Sequence, residues 1–81
     1  MNRLGLLILA TLQKSDATNT ISAMSVYEIK YYAKLSQSIT TMHRTMNYLL
    51  NQGYVTNGVK DSKSSTFYIS EKGKTYLKEM L

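Results

Sequence analysis

Apolar residues recur at helical spacing through the first half of the chain and then switch to alternation. Leu4, Ile8 and Leu12 line one side of a helical wheel, Leu9 and Leu6 fall well round from them, and Leu7 and Ala10 fill the remainder. A helix that is apolar all round must be covered on more than one side. From Ser15 to Ser25 small polar residues dominate, which predicts a loop, with Ile21 to Met24 as a candidate short strand. Ser25-Val26-Tyr27-Glu28 is a capping-box pattern: the serine hydroxyl accepts from the glutamate amide, and the glutamate side chain reaches back. A second helix is predicted to about Leu35, with Val26, Ile29 and Ala33 inward and Tyr27 and Tyr31 on another face. The chain turns at Ser36-Gln37. Ser38 then caps a third helix whose stripe is Ile39, Met42, Met46, Leu49 and Leu50, and Gly53 stops it.

Beyond Gly53 the period becomes two. Tyr54 to Val59 and Ser65 to Ile69 are strand-like runs rich in β-branched and aromatic residues, joined by a polar tip from Lys60 to Ser64. Ser70 is placed to cap a last short helix with Tyr76, Leu77, Met80 and Leu81 along its apolar edge.

Composition narrows the chemistry. The 81 residues fit a single domain, 1–81, with one small core. There is no cysteine, hence no disulfide framework or thiolate metal site. One histidine, His43, and five carboxylates leave few ways to build an acid–base pair, a triad or a metal cage. An enzyme, a bound metal and a cofactor are therefore not expected. The net charge of +5 leans towards polyanions, and no block of like charge reads as a disordered basic arm. The N-terminal Met1–Leu12 stretch has the short basic head and apolar run of a secretory signal. Lys14 and Asp16 sit where a cleavage region prefers small neutral residues, and the segment is too short to span a membrane. A core helix is the expected reading.

The polar side of the third helix carries the functional argument. Solvated helix faces are usually rich in Glu and Lys, the good helix formers. This one has Thr40, Thr41, Thr45 and Asn47 with His43 and Arg44, and no acidic residue lies between Gln37 and Val59. Short hydroxyl and amide groups approach base edges and phosphates closely, and threonine methyls pack on thymine methyls. Lys60 and Lys63, among Ser62, Ser64, Ser65 and Thr66, suit two roles equally: contact with a phosphate backbone, or protection of an edge hairpin from association.

Helix, helix, turn, polar-faced helix, β-hairpin, helix is the layout of a winged helix-turn-helix, an α+β and mostly helical fold. Ser38 to Val55 resembles the recognition-helix stretch of MarR- and PadR-type regulators, with a serine cap, buried residues at the spacing of Met42, Met46 and Leu49, and a glycine before the first wing strand. Phe67-Tyr68-Ile69-Ser70-Glu71-Lys72-Gly73 resembles the phrase that ends the wing in the same proteins. Gln37 departs from the pattern, since an apolar residue is common there. The long flanking helices that form the ligand pocket of MarR proteins are absent from the pattern, so no small-molecule effector is carried over.

The resemblance implies a cytoplasmic protein that binds double-stranded DNA with some sequence preference. Ser38, Thr40, Thr41, His43, Arg44 and Asn47 would face the major groove, and Lys60 and Lys63 the backbone beside the wing. The output implied most directly is transcriptional regulation. A plasmid or phage accessory binding repeats at an origin of transfer, replication or partition fits the same residues, and a protein–protein interaction module is the alternative from another class. The apolar surplus on the first helix predicts a homodimer, with Leu6 and Leu9 at the interface and Tyr76 and Met80 closing over it.

Overall fold

The computed structural model describes residues 1–60 and 64–80. Its elements run α1 (Arg3–Lys14), β1 (Met24–Ser25), α2 (Val26–Ala33), α3 (Ile39–Asn51), β2 (Val55–Asn57), β3 (Thr66–Ile69) and α4 (Glu71–Met80). The strands form one antiparallel sheet in the order β1-β3-β2. This is a winged helix-turn-helix: a helical core, a short leading strand, and a hairpin wing whose second strand lies central in the sheet. No described helix is long and apolar enough to cross a membrane.

Local chemistry sets the helix starts. Asn2 caps α1 by accepting from the Gly5 N–H at 2.8 Å. Ser25 and Glu28 form the full capping box, with the Glu28 carboxylate accepting from the Ser25 N–H at 2.9 Å and the Ser25 hydroxyl from the Glu28 N–H at 3.2 Å. Ser38 caps α3 through the Thr41 N–H at 3.2 Å. Ser70 accepts from the Gly73 N–H at 3.0 Å, which fixes the start of α4. Between α2 and α3 the chain reverses through Lys34 in the left-handed region, φ 54°. Gln37 follows in the turn, and its Oε1 is buried without a hydrogen-bond partner, so the departure from an apolar residue there leaves a polar atom inside.

The core gathers Leu4, Ile8, Leu9 and Leu12 of α1, Val26 and Ile29 of α2, Met42, Met46 and Leu49 of α3, Phe67 and Ile69 of β3, and Leu77 of α4. It corrects one expectation. Leu9 is 0% exposed, enclosed within a single protomer, and so is unavailable to an interface. The wheel overstated the surplus on α1 because α2, α3, α4 and β3 all pack against that helix. What stays outside is Leu7, exposed, and Leu6, half-buried.

The end of α3, the start of β2 and the start of α4 are tied together. The Ser70 hydroxyl donates to the Gly53 carbonyl at 2.6 Å, the Ser70 N–H to the Tyr54 carbonyl at 3.0 Å, and the Lys72 ammonium to the Gln52 carbonyl at 2.7 Å. The Tyr54 and Tyr76 rings meet at 4.8 Å, and Lys72 lies over Tyr54. Gly73 permits this closeness: a Cβ there would collide with the Tyr54 carbonyl. These ties fix where the wing leaves the helical body.

Candidate nucleic-acid interface

The wing and the exposed face of α3 are held on one scaffold. Met42, Thr45, Met46 and Leu49 face the core, which turns Thr40, His43, Arg44, Asn47 and Tyr48 outward. Thr45 is 8% exposed, so it belongs to the buried side and not to the polar face on which the sequence pattern had set it. The helix period explains the shift: Thr45 lies three residues from Met42 and four from Leu49, on the same stripe.

Ser38 is exposed and Thr41 half-buried. The Ser38 hydroxyl donates to Thr41 Oγ1 at 3.1 Å while accepting from the Thr41 N–H. The Ser38 hydroxyl thus serves the cap, while Thr41 Oγ1 accepts one bond and keeps its own proton to donate. Thr40, His43, Arg44 and Asn47 carry no such internal duty among the described hydrogen bonds and stand free on the face. Lys60 is exposed at the start of the wing tip; Lys63 lies outside the described residues.

Two clefts border the α3 face and bring in residues that the sequence pattern did not single out for the site. On one flank Arg44, Thr45 and Tyr48 meet Met1 and Asn2 around a cleft of about 390 Å³. Tyr48 is 44% exposed, one turn beyond Arg44, and its phenol extends the surface that Arg44 begins. On the other flank Val26 and Tyr27 of α2, His43 of α3, and Ser64 and Ser65 of the wing surround a cleft of about 180 Å³. Hydroxyls and an imidazole from separate elements converge there, and among the described residues no carboxylate lines it. Glu28, next to Tyr27 in the sequence, is tied to the Ser25 amide. The spacing of Tyr48 from Arg44 could have marked it in the sequence; the approach of Ser64 and Ser65 to His43 could not, because it depends on the β1–β3 pairing.

The face is therefore hydroxyl- and amide-rich with one arginine, flanked by tyrosines and a wing lysine. It suits close polar contact with an anionic, hydrogen-bonding surface. No group of three His, Cys, Asp or Glu residues placed to hold a metal occurs among the described residues.

Fold and face together define a winged helix-turn-helix whose third helix turns Thr40, His43, Arg44 and Asn47 to solvent. Solved structures share this architecture along the whole chain. TubR from Bacillus megaterium pBM400 superposes with a TM-score of 0.85 at 20% identity, covering 99% of this chain and 86% of its own. The DNA-binding TubR fragment from Clostridium botulinum gives 0.75 at 28% identity, covering 100% of this chain and 98% of the fragment. A candidate DNA-binding protein from Ralstonia eutropha JMP134 gives 0.77 at 15% identity, covering 100% and 98%. No family model matches the sequence, and no curated protein does. These three neighbours are TubR proteins and a candidate DNA-binding protein, and they do not establish the MarR or PadR resemblance.

Proposed function

We propose that this protein binds double-stranded DNA with sequence preference, inserting α3 in the major groove while the wing follows the adjacent backbone. The observation that carries the reading is the acid-free, exposed face of Thr40, His43, Arg44 and Asn47, presented beside the wing. Arg44 is the residue assigned to a guanine or to a phosphate. Tyr27, Tyr48, Ser64 and Ser65 extend the contact to backbone oxygens on either flank. The net charge of +5 supports attraction to the phosphates, and the DNA-binding description of the Clostridium botulinum fragment supports the same partner.

The setting that these residues fit is a small cytoplasmic regulator resembling the MarR and PadR types, or a plasmid or phage accessory that marks repeats at an origin. The likeness to plasmid-associated TubR favours the second. Nothing in the site performs catalysis in this reading.

The protein acts as a homodimer. Leu6 and Leu7 on the outer side of α1, with Met80 at 52% exposure, supply the apolar surface for a second copy. Tyr76 is half-buried against Tyr54 and contributes only an edge. A two-fold dimer presents two recognition helices, so its site consists of two half-sites about 34–36 Å apart.

Selection of bound fragments from random and source DNA, followed by gel shifts at low and physiological salt, tests the reading. A recurring sequence with paired half-sites is expected. The absence of any shift at low salt would reassign the domain to protein interaction. Sedimentation equilibrium tests the dimer: a folded monomer at high micromolar concentration that binds a single half-site would rule it out.

A further inference from the structure

Ile21 is 89% exposed, the most exposed large hydrophobic residue among those described. It sits on a built turn. The Asn19 side-chain carbonyl accepts from the Ile21 N–H at 2.9 Å and the Ser22 N–H at 3.0 Å. The Ser22 hydroxyl oxygen accepts from the Thr18 N–H at 3.2 Å and the Asn19 N–H at 3.4 Å. This turn is fastened to the wing, because the Val59 N–H donates to the Thr20 carbonyl at 3.1 Å. Val59 is itself 62% exposed, and the exposed Lys60 follows it.

Neither backbone nor packing selects these side chains. Turn tips favour Gly, Asn, Asp and Ser, and Ile21 is not among the residues held at positive φ. Its burial contributes almost nothing to the core. A protein-docking patch usually extends over several hundred Å², whereas polar Thr18, Asn19, Thr20 and Ser22 surround this pair. Two stiff, β-branched and exposed side chains instead stand on segments joined by a backbone hydrogen bond, which is the chemistry of an apolar wedge. Such side chains lose little freedom on insertion. Lys60 is the sole charged residue in 17–23 and 57–60, and Asp16 and Asp61 border those stretches in the sequence.

We propose that Ile21 and Val59 form an apolar wedge that enters the minor groove beside the wing, partly unstacks one base step and bends the duplex. The proposal rests on the DNA-binding reading above and adds to it a contact from outside the recognition helix. Apolar side chains inserted in this way kink DNA towards the major groove, and the bend is offset by the extra protein surface brought into contact. Flexible pyrimidine–purine steps would accept the wedge most readily, which gives sequence preference where no base edge is touched.

The test uses the full chain and a short duplex that the protein itself selects from a random pool, labelled at its ends for energy transfer. 2-Aminopurine is placed at successive positions in the flank under the wing. The parent should raise transfer efficiency and brighten 2-aminopurine at one step. The double variant Ile21→Ser, Val59→Ser should bind the same duplex within about tenfold yet lose both signals. Both side chains are exposed, so its circular dichroism and melting should match the parent. Ile21→Phe should retain the bend. A parent that binds without bending, or a serine variant that bends as the parent does, overturns the wedge. A serine variant that still bends but loses cooperative binding would mark the pair as a protein contact and overturns it equally. A parent that forms no bound species at low salt removes the DNA reading itself, an outcome visible in the gel before any bend is measured.

Discussion

Gly73→Ala sets helix propensity against packing. Alanine normally stabilises a helix by roughly 0.5–1 kcal/mol over glycine, so propensity predicts a more stable protein. The structure predicts the opposite. A Cβ on Gly73 would collide with the Tyr54 carbonyl oxygen and lie 2.8 Å from Ile69 Cγ1. Neither neighbour yields easily. The carbonyl accepts the Ser70 N–H at 3.0 Å, and Ile69 is 1% exposed in the core. Overpacking of this kind costs about 1–3 kcal/mol, which leaves a net loss of up to about 2.5 kcal/mol after the propensity gain. For a domain of this size each kcal/mol moves Tm by about 4–8 °C, so the midpoint should fall by up to about 20 °C. Urea and thermal unfolding, followed by far-ultraviolet circular dichroism, measure it. Gly5→Ala is the internal control. Its Cβ would press on the Cγ and Sδ of Met1, at 2.7 and 2.9 Å, a flexible side chain able to move aside. That variant should be as stable as the parent or more so. A Gly73→Ala protein at least as stable as the parent would refute the packing argument.

Ser25→Ala removes the hydroxyl arm of the capping box, leaves the backbone N–H to Glu28 arm in place, and should cost about 1 kcal/mol, seen as a drop of about 4–8 °C in Tm; an unchanged melt would mean that the sheet, not the cap, holds α2. Arg44→Ala should weaken binding to the selected site by about 1–3 kcal/mol if it reads a base, and equal affinity in a gel shift would remove α3 as the reader. The double change Lys60→Ala, Lys63→Ala should lower affinity on all sequences and flatten the slope of log K against log salt by up to about 2; an unaltered slope assigns both lysines to the wing's own structure.

Helix boundaries were legible where a side chain closes them. The Ser25-x-x-Glu28 and Ser38 caps, the Met42–Met46–Leu49 stripe and the alternation of Thr66–Ile69 are local signals, and each appears as an element. What the pattern could not give was which directions around α1 the other elements occupy. Leu9 was assigned outward on the wheel but is enclosed, because coverage depends on contacts made far along the chain. The pattern sets the leading strand at Ile21 to Met24, whereas Ile21 and Ser22 lie in a turn and the strand is Met24–Ser25, which forms by pairing with Phe67 and Thr66. The site divided in the same way. The outward Thr40, His43, Arg44 and Asn47 follow from period alone. The flank where Tyr27, His43, Ser64 and Ser65 meet requires the sheet, and the exposed Ile21 acquires its neighbour only through the Thr20–Val59 hydrogen bond.

Ser25 belongs to two cooperative units at once. Its backbone pairs with Thr66 at the edge of the sheet, and its hydroxyl and amide close the first turn of α2. At 8 residues α2 is too short to persist as an isolated helix in water. Fraying at its start must release the serine, and releasing the serine strips the sheet of its outer rung. The two openings therefore merge into one subglobal event, with shared amide-exchange protection for the first turn of α2 and the inner strand of the wing. Anything that clamps the wing would then slow exchange through the first turn of α2 as well.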